Sequence, residues 1–160
     1  MKNKNIKKRF FNNYKEALQT HYTEEYIGEI YFNYLYQQFP DKYVLYLLSQ
    51  IEKLMCKLLY PIIKKNNIII NNYYELHMIA INEGKIDSIL NWTNYANYIK
   101  ENFNIYVEEF EDIYELAPLE DKPIMKKLIE HEKIIINYFS NFYKTNNYTE
   151  IELFLYENKT

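Results

Sequence analysis

The chain has 160 residues, a formal net charge of −3, 48% hydrophobic residues, 19 Tyr, and only 2 Gly and 4 Pro. That length fits one domain, residues 1–160, with a core of its own, and the acidic balance lacks the basic footprint of a nucleic-acid binder. Asn, Ile, Lys, Tyr and Phe dominate and share A/T-rich codons, so the tyrosines carry no functional signal by number alone.

Residues 1–9 read as a basic tail, with Lys2, Lys4, Lys7, Lys8 and Arg9 solvated rather than bound to phosphate. The first helix is predicted from Ile6 to Gln38. Its three-four stepping runs Phe11, Tyr14, Leu18, His21, Glu25, Gly28, Phe32, Leu35, Phe39, a narrow seam for a partner helix. Phe39-Pro40-Asp41 breaks it, and Asp41 is a good N-cap for a second helix stepping Leu45, Leu48, Glu52, Met55, Leu59, Ile62. Pro61 loosens its end. From Lys64 to Lys85 the pattern lapses into a long connection. It holds a short helix near Tyr73 to Glu83, with Asn72 and Glu75 as a capping box and Gly84 as its stop.

A third helix is predicted from Asp87 to Ala117, apolar along Ile89, Trp92, Ala96, Ile99, Phe103, Tyr106, Phe110 and Ile113, and ended by Pro118. Trp92 reads as an anchor at the bundle end. Pro123 opens a fourth helix stepping Met125, Leu128, Glu132, Ile135, Phe139, Phe142. Thr149 with Glu152 suggests a capped terminal helix ending near Tyr156. Four long helices, two tight turns and one long middle crossover describe an all-α four-helix bundle, its core spanning about residues 10–143. No apolar run reaches the roughly 18 residues of a spanning helix, and no signal-peptide core follows the charged N-terminus. With Cys56 as the lone cysteine, the expectation is a cytoplasmic protein without membrane or nucleic-acid partners, a protein partner or homo-oligomer being compatible.

Glu25, Glu52 and Glu132 each interrupt an apolar seam. Residues equidistant from a tight turn lie level in antiparallel helices, so Glu52 should face residues near 26 to 28. Glu132 should face Tyr106, with Glu108 and Glu109 less than a turn away. All three seam glutamates lie about 20 Å from their turns at 1.5 Å per residue, which converges them on the bundle centre. Gathered carboxylates repel one another in an apolar interior, and a cation resolves this. His21 lies one turn before Glu25, and His131 adjoins Glu132, either as a boundary residue or as part of the polar centre. His77 reads as surface or packing.

With Thr23-Glu24-Glu25-Tyr26-Ile27-Gly28-Glu29 on helix one, Glu52 on helix two and Leu128-Ile129-Glu130-His131-Glu132 on helix four, the chain resembles the ferritin-like superfamily. More narrowly, it is similar to the small rubrerythrin-related bacterial proteins. The resemblance implies a carboxylate-bridged metal pair and iron or manganese redox chemistry. Three residues after Glu52 and after Glu132 the family pattern has His, where this chain has Met55 and Ile135. The resemblance therefore implies a degenerate di-iron site. Its metal candidates are Glu25, Glu52, Glu132, His21 and Glu109, with Tyr106 as a nearby hydroxyl. The expected function is a ferritin-like protein with a lost or non-standard metal site, binding iron, manganese or no metal. The alternative is a metal-free helical interaction module. No phosphate loop, Ser-His-Asp order or zinc spacing is present, and no His is placed to activate Cys56.

Overall fold

In the computed structural model, which describes residues 6–159, all regular structure among the described residues is helical. The helices are α1 (Tyr14–Gln38), α2 (Tyr43–Lys65), α3 (Tyr73–Asp87), α4 (Trp92–Asn102), α5 (Asn104–Leu116), α6 (Lys122–Asn137) and α7 (Thr149–Glu157), and a π-helical segment, Tyr138–Phe142, continues α6. Helices α1 and α2 form one hairpin, and α5 and α6 a second. The hairpins meet through α2–α6 and α1–α5, while α3 lies on α1, α4 on the π-helical segment, and α7 across α2 and α6. Leu18, Leu35, Leu48, Ile51, Met55, Leu59, Ile113 and Leu128 are among the side chains fully buried between them. No helix among the described residues is long and apolar enough to cross a membrane.

The prolines act where local chemistry places them. Phe39-Pro40-Asp41 separates α1 from α2, Pro118 follows α5, and Pro123 lies in the first turn of α6. Pro61, by contrast, is carried inside α2, which runs on to Lys65. The cap of α2 is Lys42 rather than Asp41, whose carboxylate instead pairs with Lys42 at 2.7 Å.

Several expected boundaries move. Helix α1 begins at Tyr14, not Ile6, because Asn13 caps it: the Asn13 side chain accepts from the Glu16 backbone N–H at 3.0 Å, and Glu16 accepts from the Asn12 N–H at 3.0 Å. The preceding strap, Ile6 to Phe11, is not helical. Lys2 and Lys4 lie outside the described residues, but Lys8 and Arg9 are not a solvated tail. Lys8 pairs with Asp112 on α5 at 2.8 Å, and Arg9 is held by Glu24 and Glu109. The third helix is two helices, α4 and α5, jointed at Phe103. There the Asn102 amide donates to the Tyr98 carbonyl, and Tyr106 N–H reaches back only three residues to Phe103. Tightened three-residue bonds of this kind turn a helix axis.

The crossover helix α3 is longer than expected, and Gly84 does not stop it. Gly84 is buried inside α3, where a Cβ would lie 2.5 Å from a ring carbon of Tyr34 on α1. It is glycine because two helices approach closely there. Asn72 caps α3 through a left-handed backbone (φ 62°) with no side-chain cap bond, so the capping box does not form. Thr149 likewise starts α7 without one. Trp92 anchors the bundle end as expected, donating its indole N–H to the Tyr143 carbonyl at 3.2 Å beside the π-helical segment.

Candidate metal centre

Helix α1 turns Glu25 inward, α2 brings Glu52, and α6 brings His131 and Glu132; all four are almost wholly buried. Gly28, one turn beyond Glu25, makes this possible. A Cβ at that position would meet the Glu52 carboxyl carbon and one of its oxygens at 2.9 Å, so the Glu52 head occupies space that only a glycine leaves open. This is the level pairing that hairpin geometry predicts for Glu52.

The Glu25 and Glu52 carboxyls are hydrogen-bonded to each other. His131 Nε2 lies 3.3 Å from a Glu25 oxygen and 3.7 Å from a Glu132 oxygen, without the alignment of a hydrogen bond. Glu25 Oε2, Glu132 Oε1 and both nitrogens of His131 lack hydrogen-bond partners among the described residues. Unsatisfied buried polar atoms each cost on the order of 1–3 kcal/mol, and four clustered in one place are an unmet demand.

The electrostatics agree. Burial pushes the Glu25 carboxyl up to about 8; the hydrogen bond from Glu52 opposes this and the charge of Glu132 adds to it. Burial likewise raises Glu132 to about 8, with His131 opposing. Glu52 is raised well above the ordinary range by burial and then by the Glu25 charge. Among the described residues no lysine or arginine is paired with Glu25, Glu52 or Glu132. Cys56 is a bystander: burial, then the Glu25 and Glu52 charges, keep its thiol protonated.

The carboxylates open onto a cavity of about 310 Å³ walled by Tyr31, Phe32, Tyr98, Phe103, Tyr106 and Phe110. Tyr106, expected near the centre, lines it, its hydroxyl kept protonated by burial and then by the Glu24 charge.

The donor set fits a metal ion. Ligand atoms from Glu25, Glu52 and His131 all lie within 4.8 Å of one another. Donors reaching one ion at about 2.2 Å would have to close in from this limit, which the glutamate side chains could do by rotation. Carboxylate oxygens with one imidazole suit iron(II) or manganese(II).

His21 and Glu109 do not join this group. They form a second layer with Glu24, their ligand-capable atoms within 4.8 Å of one another. His21 Nδ1 is 3.3 Å from Glu24 Oε2, and its ring lies edge-on between Phe11 and Phe110. Arg9 bridges the two carboxylates of the layer. It contacts Glu24 at 2.6 and 2.9 Å and Glu109 at 2.6 Å, and its backbone N–H donates to Glu109 at 2.6 Å. One turn of helix separates His21 from Glu25, enough to give the two residues different neighbours.

The three seam glutamates thus share one cavity as expected, and His131 belongs with them. Met55 and Ile135, where family histidines would stand, are fully buried core residues. His77 is exposed. Glu24 and Arg9 escaped sequence reasoning: Glu24 is off the three-four stepping, and Arg9 lies in a basic run whose default is solvation. No protein-family model matches the chain, nor does any curated protein or solved structure.

Proposed function

We propose that this chain is a metal-binding helical protein of ferritin-like four-helix arrangement, with a non-standard centre. In this reading Glu25, Glu52, His131 and Glu132 hold one iron or manganese ion. The carrying observation is the cluster of buried donor groups that Glu25, Glu52, His131 and Glu132 bring from three helices, four of their atoms without a hydrogen-bond partner among the described residues. When bound, such an ion supplies redox chemistry or a stored metal. The chain's own contribution is to keep the carboxylates dry, to fix Glu52 through the notch at Gly28, and to leave open space beside the donors. The single imidazole and the apolar Met55 and Ile135 make the site poorer in nitrogen than the family pattern.

A metal-free scaffold is the second reading, favoured by carboxyls that hold their protons up to about 8 and so need no cation at neutral pH. Metal analysis of purified and iron- or manganese-reconstituted protein separates the two. The metal-binding reading requires close to one equivalent that Glu52→Gln removes. Less than about a tenth of an equivalent after reconstitution would sink it. In the scaffold reading Glu52→Gln leaves thermal stability unchanged or raises it, since it removes a poorly compensated buried carboxyl.

A further inference from the structure

The strap Ile6 to Phe11 is fixed to α5 by Lys8 and Arg9, and Ile6 forms part of the central cavity wall. Arg9 is the bolt. Its guanidinium spans Glu24 and the buried Glu109, and those hydrogen bonds hold it charged against the opposing effect of burial. Hydrogen bonds from His21 and Arg9 likewise outweigh burial at Glu24 and keep its carboxylate ionised. His21 is only half served, its Nδ1 being hydrogen-bonded to Glu24 at 3.3 Å. It is fully buried, its Nε2 has no hydrogen-bond partner, and no hydrogen bond joins it to Arg9 among the described residues. Two carboxylates against one guanidinium also leave the layer one positive charge short of neutrality, beside the acidic central group.

We propose that His21, Glu24 and Glu109 form a second divalent-cation site that Arg9 occupies with its guanidinium, and that a cation entering it displaces Arg9 and frees the strap from the cavity wall. A divalent ion matches the two carboxylate charges, and unlike a guanidinium it takes an imidazole lone pair. The strap then works as a cation-operated latch on the cavity. These residues are disjoint from the central set, so this site stands or falls separately.

The test is manganese(II) titration by calorimetry of the full chain, its Arg9→Ala variant and the Arg9→Ala/Glu109→Gln double variant. Competition from Arg9 reduces apparent affinity by the fraction of chains with the site open. Arg9→Ala is expected to bind one more equivalent than the parent, or to bind it at least about tenfold more tightly. The double variant is expected to lose that equivalent, and methylguanidinium to compete for it in Arg9→Ala. In the parent, saturating manganese should speed trypsin cleavage after Lys8 and Arg9, which the ion pairs of the strap otherwise hold. An unchanged isotherm in Arg9→Ala, or an extra equivalent that survives Glu109→Gln, overturns the proposal and leaves a purely structural ion pair. If Arg9→Ala is unfolded without cation, recovery of its helical circular dichroism by manganese supports the site, and failure to recover overturns it. Adding Glu52→Gln to Arg9→Ala removes only the central equivalent, so failure of the central site is read independently.

Discussion

Gly28 and Gly84 are the chain's only glycines, and both are notches rather than hinges. They predict opposite phenotypes. At Gly28 an added methyl meets the far end of a flexible glutamate, which can swing aside, while alanine adds helix propensity of about 1 kcal/mol. Gly28→Ala should therefore change unfolding free energy by no more than about 1 kcal/mol yet weaken metal binding by about tenfold or more, because Glu52 is displaced. Urea unfolding beside metal titration checks both halves. Unaltered metal affinity would show that the position of Glu52 is immaterial. At Gly84 the obstacle is the Tyr34 ring between two packed helices. Gly84→Ala should destabilise by about 1–2 kcal/mol in urea, over-packing outweighing the propensity gain.

Helix α3 shows how an element can be placed by close packing rather than by its own helical pattern. Its sequence reads as a weak helix in a linker, yet Ala80 and Gly84 bury it against α1. Gly84→Leu should undock α3 and raise amide exchange along Tyr73–Asp87 while α2 and α6 keep their protection. Uniform loss of protection across all helices would instead make α3 part of the cooperative core. The joint at Phe103 has a comparable origin. The Asn102 amide competes for the Tyr98 carbonyl, and the Phe103 ring packs edge-on against Tyr98 and Tyr106. No proline or glycine marks the break, so the apolar stripe alone reads as one continuous helix.

For the whole molecule, the buried carboxyls tie stability to pH. In the unfolded chain Glu25 and Glu132 titrate near 4.5, whereas in the folded, metal-free chain they hold protons up to about 8. The folded state binds more protons between those values, so its stability is greatest below about 4.5 from these groups and declines as pH rises through about 8. The slope is at most about 1.4 kcal/mol per pH unit per group. The lowered carboxylate of Glu24 acts oppositely, but only as pH falls below its usual value, outside this window. Thermal melts in chelator should therefore move to lower temperature from about pH 5 to about pH 8.5, and manganese should offset the loss most at the alkaline end, where the ligands are deprotonated. A midpoint independent of pH in chelator would mean that these carboxyls titrate as exposed ones do.

The helical class, the proline-marked turns and the convergence of Glu25, Glu52 and Glu132 are all present in the order of residues, because helix periodicity and hairpin symmetry are local rules that need no coordinates. What those rules do not contain is which residues from different helices share a layer. Tertiary packing put His131 with the three glutamates, sent His21 and Glu109 to a neighbouring layer, and drew Arg9 out of a basic run to bridge Glu24 and Glu109. A buried charge takes its partner from whatever the fold brings within reach, and that distance, across 100 residues between Arg9 and Glu109, is set by packing and not by spacing along the chain.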